Sequence, residues 1–390
     1  MSFYDSRYYY INKMLLSLVG QWPFQSRTKG NVMLVVTLFL TCSFTSLQIW
    51  GLLAGIRDLS IIMETASPLF ISALVLLKLI NCLSNKNKMK HLLQRIEESW
   101  KRIQVEAESK ILQNHAEQNR AFIIRYASIL YTLSTLYSTM PVVVKALYSL
   151  LPTNETHATR FLFRLDHVLD VDKYFSLLML NGILGIFFLM SVWIAADGMF
   201  ILCTQHVCAL FEVLQYNVKR IRGSDFVMDE PNIMDDEAYH VTINCIKSYE
   251  YALQFSELLS STYATHFLFL LGNVVAAVSF SVAELIMMDI PLDETVRLVA
   301  CNSGLFLHIF YLSLMSQQVI DYSDKFHEVI YSCNWYEISL RSQKLLRLTL
   351  LRASKPCQIK AGKMYVMSME NFSAIVRACM SYVAVLTSLQ

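Results

Sequence analysis

The chain has 390 residues, 55% of them apolar and only 16% charged, with a mean hydropathy of +0.41. Water-soluble domains carry about 25% charged residues, so the composition excludes an ordinary soluble protein and indicates a membrane bundle, each span of which takes about 20 residues. Lysine plus arginine (33) nearly balance aspartate plus glutamate (31), which argues against nucleic-acid binding and makes the distribution of charge the informative quantity.

In chain order, residues 1–30 read as a cytoplasmic interfacial segment. No secretory signal is read there, because Leu15 to Gly20 is too short an apolar core and Trp22-Pro23 follows without a small-residue cleavage site. Apolar runs of spanning length then fall at about 32–52, 59–80, 122–150, 175–208, 258–288, 298–320 and 365–389. A bilayer offers no partner to an exposed backbone amide, so these seven runs must be helices. The expected fold is an all-α membrane protein with seven transmembrane helices: a six-helix bundle over 31–320, cytoplasmic anchor helices over 321–364 and a last span over 365–390. The third, fourth and fifth runs exceed the hydrocarbon thickness and are expected to project into the cytoplasm.

The connections carry their own patterns. Between spans two and three, Leu92, Ile96, Trp100 and Ile103 recur at helical spacing among charges and predict an inward-protruding helical hairpin. Between spans three and four lies the only sequon in a loop, Asn154-Glu155-Thr156, a glycosylation candidate; Asn371-Phe372-Ser373 matches the pattern but falls inside span seven. Between spans four and five, six acids and Pro231 read as a solvated linker rather than a calcium loop. Ile338 to Leu351 reads as an amphipathic basic helix. Nine cysteines show neither CxxC nor metal spacing, so neither a disulfide framework nor a metal site is implied.

Orientation follows from the basic residues. One set of loops holds 24 lysines and arginines and the other 5, which puts the N-terminus inside and the C-terminus outside. This is opposite to a G-protein-coupled receptor, and Asp-Arg-Tyr and Asn-Pro-x-x-Tyr are also missing from the corresponding spans. Within the spans, Lys78 and Lys145 read as snorkelling side chains, whereas Glu64, Asp197, Glu284, His308 and Arg377 lie deeper and are functional or ion-pair candidates. Pro68 and Pro141 read as single kinks, not the paired interruptions of a transporter. No catalytic set, phosphate loop or dinucleotide fingerprint is present, so neither an enzyme nor a cofactor is expected.

Two blocks carry a family resemblance. Leu15 to Pro23 holds an amphipathic turn before Gly20-Gln21-Trp22-Pro23, which also reads as an interfacial helix anchored by Trp22. From Tyr331 onward come Ser332-Cys333-Asn334-Trp335-Tyr336, Pro356, Ala361-Gly362, Met367-Ser368-Met369, Phe372 and Ser381-Tyr382-Val383-Ala384-Val385-Leu386. With these residues the chain resembles the insect odorant receptors. Ser388 and Leu389 depart from the gustatory receptor ending, and the stretch from Phe211 to Glu257 is shorter than the odorant co-receptor's insert. A ligand-selecting subunit is therefore the expectation, with a G-protein-coupled or gustatory-type chemoreceptor as the alternative.

The resemblance implies a ligand-gated, non-selective cation channel in the plasma membrane of a sensory neuron dendrite, a heterotetramer with the co-receptor around one pore. It implies a last helix lining that pore, with a gate at Val385 and Leu389 and Gln390 at the outer mouth. It also implies a pocket for a small volatile odorant in the outer half of spans two, three, four and six. Outer-half residues suited to such a ligand are Met63, Ala66 and Phe70; Tyr137, Met140, Val144 and Tyr148; Phe175, Met179 and Ile183; and Leu305, Phe306 and Ile309.

Overall fold

The computed structural model describes residues 3–103, 105–150, 161–221, 233–234, 236–287, 290–362 and 364–388, without the side chains of 148–150, 287, 293 and 382–388. Within them run α1 (Tyr10–Leu18), α2 (Arg27–Ala54), α3 (Leu59–Ser84), α4 (Lys86–Arg102) and α5 (Glu106–Leu150). There follow α6 (Val171–Lys219), α7 (Glu237–Met287), α8 (Leu292–Ser332), α9 (Leu340–Ala353) and α10 (Met369–Ser388). Among the described residues six helices, α2, α3 and α5 to α8, are long and apolar enough to cross a bilayer. With the 20-residue α10 the chain has the seven spans expected of it.

Helix lengths explain the shape. At 1.5 Å per residue, α5, α6 and α7 are each about 70 Å long, more than twice a hydrocarbon core of about 30 Å. The surplus lies on the side of the charged loops, where α4 and the start of α5 form the hairpin read from Leu92, Ile96 and Trp100. The first two of these are fully buried. Helix starts carry capping side chains: Asp58 accepts from the Ser60 amide at 2.9 Å, and Asp170 from the Lys173 amide at 3.1 Å. The Ser60 hydroxyl and amide both donate to Asp58 and hold its carboxyl below the usual range.

α6 is the axis of the bundle, packing on α1, α2, α3, α5, α7 and α8. Every residue from Ser191 to Ala209 is buried, the polar Asp197, Thr204, Gln205 and His206 among them. The leader packs into the bundle. α1 packs on α6, Asn12 Nδ2 donates to the Gly198 carbonyl at 2.8 Å, and Trp22 is buried against Tyr4 and Phe24. Gly20 makes this possible: it ends α1 at φ +72°, and a Cβ there would fall 2.5 Å from the Gly30 carbonyl oxygen.

Three details differ from the hydropathy reading. α8 runs unbroken through residue 320, where the bundle was expected to give way to anchor helices, because an amphipathic stretch continues a helix as readily as an apolar one. α10 begins at Met369 rather than 365, since Tyr365–Val366 pairs antiparallel with Lys360–Ala361 across a turn in which Gly362 takes φ +63°. Lys78 does not snorkel: it is buried and ion-paired with Asp197 of α6.

Candidate functional site

On the extracellular side the segment Phe161–Leu165 folds down into the mouth of the bundle, and Phe161, Leu162, Phe163 and Leu165 are all buried. Their backbone carbonyls would be costly there without donors. Tyr137 Oη donates to the Leu162 carbonyl at 3.1 Å, and Arg297 Nη1 to the Phe161 carbonyl at 3.0 Å. Arg164 donates to Ser60 Oγ at 3.1 Å, and His167 contacts the Gly51 carbonyl at 2.8 Å. The segment is thus a roof bonded to α2, α3, α5 and α8.

Beneath it lies a small apolar chamber of about 70 Å³. Its walls are Phe44 and Gln48 of α2; Pro68, Ile71 and Ser72 of α3; Leu130, Leu133, Ser134 and Tyr137 of α5; Ile186, Leu189, Met190 and Trp193 of α6; and Ala300, Cys301 and Gly304 of α8. Most of the few polar wall atoms are bonded within the protein. Ser72 Oγ donates to Gln48 Oε1 at 2.8 Å, Ser134 Oγ to the Tyr131 carbonyl at 3.0 Å, and Trp193 Nε1 to Tyr126 Oη at 2.9 Å. An occupant therefore meets an apolar surface and is held by dispersion and by release of water.

Trp193 also joins the chamber to a buried polar cluster. Asp197, one helical turn below it, pairs with Lys78 of α3, accepts from Tyr126 Oη of α5 at 2.6 Å, and lies 3.0 Å from His308 Nδ1 of α8. Four helices meet at one carboxylate, and the Trp193 ring lies 5.7 Å from the Lys78 ammonium. An ion in hydrocarbon is stable only with such donors around it.

A smaller compartment adjoins the chamber on its outer side and shares Pro68, Tyr137 and Cys301 with it. Its remaining wall is mixed and carries most of the charge: Glu64 and Ser67 of α3, Glu284 of α7, and Glu294, Arg297 and Leu298 of α8, with Leu162 above.

Of the pocket residues expected from sequence, Tyr137 lines the chamber. Met63, Phe70, Met140, Val144, Phe175, Met179, Ile183 and Phe306 do not. Phe70 packs on Phe280 of α7 with centroids 5.5 Å apart, Phe175 lies under the Lys145 ammonium at 4.1 Å, and Ile183 is 40% exposed on the outer face of α6. Tyr148 is described only in its backbone. Asn154, Leu389 and Gln390 lie outside the described residues, as does the side chain of Val385. Arg377 is exposed and forms no ion pair with a described residue. The wall residues that sequence reading missed lie deeper on α5 and α6, beside Phe70 on α3 and nearer the extracellular end on α8, and their only signal was small residues, Ala300, Gly304, Ser72 and Ser134, facing large ones.

A helical membrane protein with a largely apolar chamber beneath an extracellular roof has the architecture of a small-molecule receptor. Residues 58–380 match the family model described as 7tm Odorant receptor, and the chain belongs to that family. The family is one of receptors rather than enzymes. Odorant receptor 9a of Drosophila melanogaster is 24% identical over 198 residues, 50% of this chain and 47% of that one. The Odorant receptor coreceptor of the same species is 24% identical over 82 residues, 21% of this chain and 17% of that one. The chain thus spans less than half the length of these relatives in the matched stretches. The insect olfactory receptor OR5 from Machilis hrabei in complex with eugenol superimposes with a TM-score of 0.79 over 98% of this chain and 97% of that one, at 14% identity. Another structure of the same receptor gives 0.74 over 99% and 100%, also at 14% identity. These likenesses establish the seven-helix fold.

Proposed function

We propose that this chain is the ligand-selecting subunit of an odorant-gated, non-selective cation channel, assembled as a heterotetramer with the odorant co-receptor in a sensory dendrite. The observation that carries the proposal is a chamber and a candidate pore helix sharing one element. Ala300, Cys301 and Gly304 of α8 form a chamber wall. Two to four turns further, the same helix holds α10: Phe310 meets Phe372 edge-on with centroids 5.7 Å apart, and Gln317 Oε1 accepts from the Met369 amide at 3.2 Å. A volatile that fits the chamber better in one setting of α8 shifts the population toward that setting, and α10 moves with it.

α10 itself supports a pore-facing role. Glu370, Ser373, Ala374, Arg377, Ala378 and Ser381 are exposed at spacings of three and four, a polar and small stripe that would be unfavourable against lipid. Val385 follows Ser381 by four residues and Leu389 follows Val385 by four, so the same face continues to an apolar constriction that closes by dewetting, with Gln390 at the mouth. Asn154, in the extracellular loop, is the proposed glycosylation site.

The test is whole-cell recording from cells carrying this chain and the co-receptor, with volatile odorants applied and a G-protein blocker in the pipette. Rapid cation current that persists under the blocker and requires this chain is expected. A slow response abolished by the blocker refutes channel function and returns the metabotropic reading.

A further inference from the structure

We infer that the ligand carries a hydrogen-bond-donating head, a hydroxyl or a protonated amine, on its apolar body, and that Glu284 receives that head in the outer compartment. The inference rests on the receptor reading above and narrows it to a ligand class.

The two spaces have opposite chemistry. In the main chamber Gln48 Oε1, Ser72 Oγ, Ser134 Oγ and Trp193 Nε1 are bonded within the protein, and most of the wall is apolar. In the outer compartment Glu284 is only 3% exposed, and its Oε2 has no hydrogen-bond partner among the described residues. A buried carboxyl oxygen without a donor is rare in native proteins and costs stability whether or not the group is ionised. The hydroxyl donors nearby are engaged elsewhere. Ser67 Oγ and Ser281 Oγ bond each other at 2.6 Å one turn from Glu284. Tyr137 Oη donates to the roof at Leu162. Arg297, the one cation among the described residues lining the compartment, donates through Nη1 to the Phe161 carbonyl at 3.0 Å, and its Nη2 lies 3.7 Å from Glu294.

Three carboxyl side chains, Glu64, Glu284 and Glu294, line this space with a single guanidinium, so its field is that of an acceptor site and favours a donor or a cation. Pro68, Tyr137 and Cys301 border both spaces, so a molecule lying across them puts its hydrocarbon in the chamber and its head against Glu284. Esters, ethers and aldehydes bring neither a donor to Glu284 Oε2 nor a cation to a space lined by three carboxyl side chains. A site built to pair one polar group discriminates strongly against an analogue that lacks it.

The experiment compares matched probes on the wild-type chain with the co-receptor: hexanol, hexylamine, hexanal and pentyl methyl ether, with half-maximal concentrations read from the current. The donor-headed pair is expected to be at least about tenfold more potent than the acceptor-only pair, the scale of losing one buried hydrogen bond to a charged group. In Glu284→Gln, with surface delivery measured by labelling, most of the hexylamine advantage is expected to disappear while hexanal is unchanged. Equal potency across the four probes on the wild type overturns the inference and leaves the receptor reading standing. A donor preference that survives Glu284→Gln overturns the assignment to Glu284. Absence of current to any volatile sinks the channel reading and this inference with it.

Discussion

The Lys78–Asp197 pair gives the sharpest test of how the bundle is held. Both side chains are buried, at 1% and 3% exposure, and Asp197 takes donors from three other helices: Lys78, Tyr126 at 2.6 Å and His308 at 3.0 Å. Asp197→Ala strands the Lys78 ammonium with no counter-charge inside the bundle. Breaking a buried pair in this way costs about 3–5 kcal/mol, roughly two to four orders of magnitude in the folded population. Lys78→Met is expected to be milder, because Asp197 keeps Tyr126 and His308. The double variant Lys78→Met, Asp197→Leu removes both charges and fills the space with apolar atoms, which at other buried pairs is neutral or stabilising. The order predicted is therefore Asp197→Ala least stable, Lys78→Met intermediate and the double variant near wild type. Surface labelling in cells and thermal melting of the purified protein followed by size-exclusion chromatography both report it. A double variant as unstable as the sum of the singles, or an Asp197→Ala protein melting with wild type, refutes the reasoning.

Two further outcomes follow from single glycines. At Gly304 a Cβ would lie 3.8 Å from Leu133 and 3.9 Å from Leu130, so the backbone accepts a side chain and Gly304→Leu fills the chamber instead; normal surface delivery with odorant potency reduced at least about tenfold is expected, and unchanged dose–response curves would exclude the chamber as the binding site. Gly20→Ala sets a methyl 2.5 Å from the Gly30 carbonyl oxygen at φ +72° and is expected to cost at least about 2 kcal/mol from strain and collision, whereas Gly30→Ala, whose nearest neighbour is 3.9 Å away, is tolerated; melting temperatures of the two variants decide it.

The sequence alone determined the membrane class, the seven helices, their orientation by basic loops and the inward extensions, because each depends on local hydropathy, run length and charge that neighbouring residues share. It also carried the family, through blocks such as Gly20-x-Trp22-Pro23, where backbone geometry at Gly20 leaves little choice of residue. The chamber wall was another matter. In a soluble helix the polar face marks the outside, but a membrane helix is apolar toward lipid and toward its neighbours alike, so periodicity could not tell Met190, on the chamber wall, from Ile183, which faces outward. Nor could spacing reveal that Lys78 meets Asp197, a carboxylate 119 residues away, or that Glu284 Oε2 has no donor among the described residues. Those are facts about which helix faces pack together, and only the tertiary structure decides them.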